Sequence, residues 1–168
     1  MKLSKNFDSK EFACPCCDGA MIDDRLVSKL QDLRDLIDRP IHISSGYRCE
    51  RENLKVDGYS DSPHIDGLAV DIIVKDFDFR ELALLAIEVG FYRVGLYPYS
   101  NSKFLHLDIK PPSPSQAWIR WKNGKYTYYG TLKTALGALM EVEKNREWVN
   151  EEKIITYLHK ELKKVIDA

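Results

Sequence analysis

An imidazole and a carboxylate, His64 and Asp71, stand seven positions apart in the run Ser62-Pro-His-Ile-Asp-Gly-Leu-Ala-Val-Asp71. A second isolated imidazole, His106, sits in the short apolar run Phe104-Leu-His-Leu-Asp-Ile109. Two histidines and one carboxylate are the ligand set of a catalytic zinc, which keeps its fourth position open for water. Asp71 lies among Ala69, Val70, Ile72 and Ile73, where an unpaired carboxylate is expensive to bury and metal coordination removes the cost. Gly67 lets the chain turn tightly between the first two ligands. Taken singly, each residue has a bland reading: a loop histidine, a satisfied strand histidine and an Asp paired with some Arg. Taken jointly, His64, Asp71 and His106 read as a hydrolytic site for one zinc ion per chain. His42 and His159 keep the bland reading, one before Ser44 in a strand and the other on a charged helix.

The elements that must position these groups follow from periodicity. Leu26, Leu30, Leu33, Leu36 and Ile37 recur at helical spacing from Asp23 to Asp38, with acidic residues at the start and Pro40 as the stop. Ile41 to Ser45 alternates and predicts a strand ending at Gly46. Arg48 to Pro63 is polar and predicts a loop, with one helical turn near Glu52. Leu68 to Val74 has strand composition, placing Ala69, Asp71 and Ile73 on one face. Asp78 can cap a helix through Val89, ended by Gly90. Arg93–Tyr97 and Lys103–Ile109 predict two further strands, so that Asp71 and His106 can face one cleft from neighbouring strands. Asn123-Gly124 between Ala117–Trp121 and Lys125–Tyr129 predicts a hairpin. Beyond it, Leu132, Leu136, Leu139 and Met140 form one helical stripe, and Ile154, Ile155, Leu158, Leu162, Val165 and Ile166 form another. The expected fold is α+β: a small antiparallel sheet with packed helices over 1–130, followed by a two-helix appendage over 131–168.

At 168 residues the chain suits one globular domain with an appendage. Its 25 basic and 26 acidic residues leave a net charge near zero, so charge implies neither a nucleic acid nor a membrane surface as partner. No apolar run reaches the ~20 residues that span a bilayer. The start, Met1-Lys-Leu-Ser-Lys-Asn-Phe-Asp8, is basic but lacks the apolar stretch of a secretory signal, which predicts a cytoplasmic address at synthesis. A monomer is expected, with the apolar stripes of the appendage packed in cis.

Cys14, Cys16 and Cys17 crowd together and Cys49 stands apart. Reduced thiols in a reducing compartment are the favoured reading; a second zinc or a disulfide are the alternatives. The Cys-x-Cys-Cys spacing lacks the two-to-four-residue gap usual in structural zinc sites.

Ser44-Ser-Gly-Tyr-Arg48, the His64-to-Asp71 motif and His106-x-Asp108 together resemble the zinc D-alanyl-D-alanine carboxypeptidases and related murein peptidases. These are cousins of lysostaphin-type enzymes and of the hedgehog signalling domain. The resemblance runs from about Asn6 to Trp121 and includes the opening segment Phe7–Cys17. It implies zinc on His64, Asp71 and His106, and a substrate carboxylate bound by Arg48, a role that a bidentate guanidinium suits. Ser62 is a candidate to orient the substrate or the His64 loop, or to serve only as a turn hydroxyl. Tyr47, Tyr97 and Tyr99 are candidates to line the groove, with packing as the alternative.

One departure stands out. Many relatives place an acidic general base three residues before the last zinc histidine; here that residue is Lys103. Asp108 shares the strand face of His106 and could orient the attacking water or hydrogen-bond a ligand. The implied activity is a zinc peptidase on D-amino-acid-containing peptidoglycan stem peptides or cross-links, acting at the cell wall, for example as a phage or prophage lysis enzyme. Two alternatives stand beside it: a catalytically weak or inactive hedgehog-like zinc module used for binding, and a virion-associated structural protein.

Overall fold

The computed structural model describes residues 1–110 and 115–145. The chain divides into two compact units, Met1–Leu132 and Lys133–Ala168, and each is taken by itself.

In the first unit, Asp8 caps a 3-10 turn over Ser9–Phe12 through a reciprocal bond pair with Glu11. Helix α1 runs Asp24–Ile37, with the Asp23 side chain accepting the Arg25 N–H and Asp38 closing it in a left-handed conformation at φ 46°. Its apolar face buries Leu26, Val27, Leu30, Leu33 and Ile37. Leu36, expected in that stripe, is 51 % exposed. Strand β1 (His42–Ser45), the short α2 (Glu50–Lys55), β2 (Ala69–Ile73), α3 (Phe79–Glu88), β3 (Arg93–Tyr97) and β4 (Phe104–Asp108) follow, then the hairpin β5 (Ala117–Arg120) and β6 (Tyr126–Tyr129). The single helical turn expected near Glu52 is a six-residue helix. Asp78 caps α3 as expected, accepting the Arg80 and Glu81 N–H groups.

The six strands form one sheet in the order β1-β2-β4-β3-β5-β6. Every pairing is antiparallel except β3 with β5, which is parallel. β5 thus lies on the opposite side of β3 from β4. Side chains alternate across the sheet. Val70, Ile72, Val94, Leu96, Leu105, Leu107, Ala117 and Ile119 are buried with at most a trace of exposure, and α3 packs on β3 and β4. This apolar layer supplies the burial that holds the sheet rigid.

In the second unit, a helix covers 132–145, beginning at the last residue of the first. Of the stripe expected there, Leu132, Leu136 and Leu139 are buried, together with Ala135, whereas Met140 is 54 % exposed. The second expected stripe, Ile154 to Ile166, and His159 lie outside the described residues. Among the described residues no helix is long and apolar enough to cross a membrane.

Candidate metal centre

The register of the sheet builds the site. Ser45 pairs with Asp71, Asp71 with His106, His106 with Gly95, Gly95 with Trp118, and Trp118 with Tyr128. One transverse row therefore crosses all six strands, and the polar face of that row is the floor of a cleft. Gly95 is required there: a Cβ would stand 2.5 Å from two ring atoms of Trp118. Its absence lets the indole lie over the strand, 5.0 Å from the His106 ring centre.

His64 reaches the same floor from the turn before β2. Leu68 N–H bonds to Pro63 O at 2.8 Å, and Gly67 adopts φ +68°, which favours glycine, so the chain doubles back into β2. The His64 carbonyl accepts the Arg48 N–H at 3.2 Å, which ties this turn to the Arg48 loop.

The three donor groups meet. His64 Nε2 lies 3.1 Å from His106 Nδ1, His106 Nδ1 lies 3.0 Å from Asp71 Oδ1, and His64 Nε2 lies 3.4 Å from the same oxygen. Each imidazole uses its other nitrogen elsewhere. His64 Nδ1 donates to Gly46 O at 2.7 Å, and His106 Nε2 donates to Asp108 Oδ2 at 3.1 Å. With the far nitrogens so engaged, His64 Nε2, His106 Nδ1 and a carboxylate oxygen of Asp71 converge on one point. Without a metal, a proton on His106 Nδ1 bridges to Asp71; a divalent cation can replace that proton and take all three donors. The spacing fits: donors ~2.0–2.1 Å from a tetrahedral zinc lie ~3.3 Å from one another. His64 is fully buried and His106 nearly so.

Electrostatics agree with the geometry. Burial pulls the His64 pKa down, which keeps the ring neutral and able to ligate. Burial also works against a charged His106, but the hydrogen bonds it donates to Asp108 and Asp71 outweigh it and hold the metal-free group at about 8. Burial would raise Asp71 and Asp108. The neighbouring imidazoles, and for Asp108 also Arg93, instead hold both below the usual carboxylate range.

Asp108 is fully buried and its oxygens are committed. Arg93 Nε reaches Oδ1 and Oδ2 at 3.0 Å each, Arg93 Nη2 reaches Oδ2 at 3.0 Å, and the Lys110 N–H reaches Oδ1 at 3.1 Å. It approaches His106 on the nitrogen remote from Asp71.

Above this floor opens a cleft of about 780 Å³ whose lining includes Arg48, Ser62, Tyr97 and Trp118. The buried Nε of Arg48 has no hydrogen-bond partner among the described residues. Ser62 is buried at the rim, its carbonyl accepting the Ile65 N–H at 3.0 Å. Lys103 is exposed and does not line this cleft. Of the three tyrosines expected at the groove only Tyr97 lines it; Tyr99 stacks on Trp121, and Tyr47 lies against Gly19 beside the cysteines. His42 is an exposed strand residue.

Sequence reasoning passed over Arg93, Trp118, Tyr126 and Tyr128. All four belong to the cleft lining, and only strand pairing brings them there. An Arg opening a strand that neighbours the His-x-Asp strand is the one local hint for Arg93.

A buried three-donor cradle with an open cleft above it is the centre of a metallohydrolase. A family model described as Peptidase M15 matches residues 5–108, and the chain belongs to that family. The match takes in all three donor residues, Arg48, Ser62, Asp108 and the four cysteines, and it ends at the last residue of β4. Members of the family are zinc-dependent metallopeptidases, so a peptide is the substrate class. No curated protein matches the chain.

Proposed function

We propose that this chain is a zinc peptidase hydrolysing D-amino-acid-containing stem peptides or cross-links of peptidoglycan, as a carboxypeptidase or endopeptidase of the cell wall. The observation that carries the reading is the convergent triangle of His64 Nε2, Asp71 Oδ1 and His106 Nδ1 in a cleft that also holds a guanidinium nitrogen of Arg48 with no partner among the described residues. His64, Asp71 and His106 hold the ion. Zinc, when bound, polarises the scissile carbonyl and activates water near neutral pH.

The protein's own groups do the rest. Asp108, locked by Arg93, keeps the proton of His106 on Nε2 and so keeps Nδ1 free to ligate. Arg48 receives a peptide carboxylate, and Ser62 beside it supports the His64 turn. Trp118 and Tyr97 wall one side and limit water. The activity resides in residues 1–130, with 131–168 as an appendage, and the protein acts as a monomer. The cell wall is the place of action, and the same substrate chemistry suits a phage or prophage lysis enzyme.

A second reading is supported by the missing acid. Lys103 occupies the usual base position and does not line the cleft, and both oxygens of Asp108 are engaged. On that reading the site is a zinc module used for binding. Incubating the zinc-loaded full chain with purified peptidoglycan and with isolated stem peptides separates the two. Loss of a terminal D-alanine or cleavage of a cross-link, seen in product masses, is expected. Stoichiometric zinc with intact substrates and saturable binding of the same peptides would replace the peptidase by the binding module.

A further inference from the structure

The four cysteines converge outside the cleft. Cys14 Sγ lies 3.6 Å from Cys16 Sγ and 3.7 Å from Cys49 Sγ, and the Cys16 and Cys49 sulfurs are 3.1 Å apart. With Cys17 included, all four sulfurs fall within 4.8 Å of one another. Thiolates at ~2.3 Å from a tetrahedral zinc lie ~3.8 Å from one another. We propose that Cys14, Cys16, Cys17 and Cys49 bind a second, structural zinc ion that ties the opening segment to the loop carrying Arg48.

Three observations carry this. First, residues 13–23 contain no helix or strand, yet Cys14 within them is fully buried. The segment is folded back on itself by Cys14 N–H to Gly19 O at 2.7 Å and Asp18 N–H to Cys14 O at 2.9 Å, with Asp18 left-handed at φ 56°. So short an irregular loop has little apolar area to hold it, and a metal cross-link supplies what packing cannot. Second, donors point at the sulfurs. The Cys49 N–H approaches Cys14 Sγ at 3.5 Å, and Arg51 Nη2 approaches Cys16 Sγ at 3.5 Å while bonding Cys16 O at 3.0 Å. Four thiolates on one divalent cation leave net negative charge, which the Arg51 guanidinium offsets. Third, the set is closed: four protein ligands leave no open position, the mark of a structural rather than a catalytic ion.

A disulfide is the competing fate. One between Cys16 and Cys49, whose sulfurs are 3.1 Å apart, would join only two of the four and would leave the convergence of Cys14 and Cys17 unaccounted for. The zinc reading uses all four. It also has a consequence for the cleft, because Arg48 directly precedes Cys49. The Tyr47 N–H bonds to Phe12 O at 2.8 Å and the Arg48 N–H to His64 O. The ion would thus anchor the backbone from which Arg48 reaches its cleft. The proposal stands whether or not the cleft proves to be a peptidase.

Metal analysis of the full chain purified with zinc under reducing conditions tests it. Two zinc ions per chain are expected for the wild type, one for His106→Ala and one for the double variant Cys14→Ser/Cys49→Ser. Cobalt exchange gives a readout that needs no cysteine variant to fold. His106→Ala loaded with cobalt should show intense near-ultraviolet sulfur-to-cobalt charge transfer, because only the cysteine site contributes thiolate. A single zinc per wild-type chain that Cys14→Ser/Cys49→Ser retains, absence of that band, or a Cys16–Cys49 disulfide in the protein as isolated would overturn the proposal.

Discussion

The cleft and the cysteine cluster assemble donor atoms by opposite means. In the cleft, two of three donors stand directly opposite each other on paired strands, Asp71 against His106. Each histidine is oriented by a hydrogen bond on its far nitrogen. The shape of that site is a property of the sheet. In the cysteine cluster three donors come from a loop without regular structure, and the fourth, Cys49, precedes a six-residue helix. Local turns, the Tyr47–Phe12 backbone bond and the Arg51 contact with Cys16 hold that cluster, rather than strand pairing. The difference teaches that a reactive site gains from a scaffold that keeps its form with the fourth position empty, whereas a structural ion can be its own scaffold.

The sharpest test of the cleft half is Asp71→Asn or His106→Ala. Each should abolish hydrolysis and remove the cleft metal while leaving the sheet intact, as read by metal content and circular dichroism together. A variant that keeps zinc and activity would remove that residue from the ligand set. Stripping all metal with a chelator in reductant should split the two regions. Amide exchange in residues 13–19 should rise to that of an open loop, while β2 and β4 stay protected. Equal loss of protection in both would break the comparison.

Arg93→Ala leaves the fully buried Asp108 carboxylate without its main partner. Uncompensated buried charge costs about 3 kcal/mol or more, measurable as a lower denaturation midpoint. Unchanged stability would mean that Asp108 is neutralised in another way. Arg48→Ala should leave zinc content untouched and lower kcat/KM by about 10- to 100-fold, the loss of a charged hydrogen bond. Arg48→Lys should recover part of it. Wild-type behaviour of Arg48→Ala on every wall substrate would end the carboxylate-receptor role.

The smallest effect is one of pH. The metal-free His106 pKa is held at about 8, above its ordinary value of 6.5. Its contribution to apo stability is therefore full below 6.5 and is lost as pH rises through 8. Zinc competes for the same lone pair, so cleft affinity should run the other way. It should rise by up to about tenfold per pH unit toward 8 and level off above. Chelator competition titrations check the sign, and a flat profile between pH 6 and 9 would contradict it.

The local features were legible in the residues themselves. The acidic start of α1, the cap at Asp78, the apolar period of α1, strand alternation and the Asn123-Gly124 turn are encoded within a few positions, and structure places the elements within a residue or two of expectation. The donor types and order of the cleft were equally local. Pairing was not. The parallel contact of β3 with β5, the transverse row from Ser45 to Tyr128, the Arg93 clamp on Asp108 and the indole over Gly95 depend on which strands lie side by side. That choice is made by burial summed over the whole sheet. Likewise Cys49 is 32 positions beyond Cys17, and no spacing rule for adjacent ligands reaches across such a gap. Sequence alone determined which donors exist and which elements carry them; only the tertiary structure decided which lone pairs meet, because convergence is set by long-range packing rather than by neighbours in the chain.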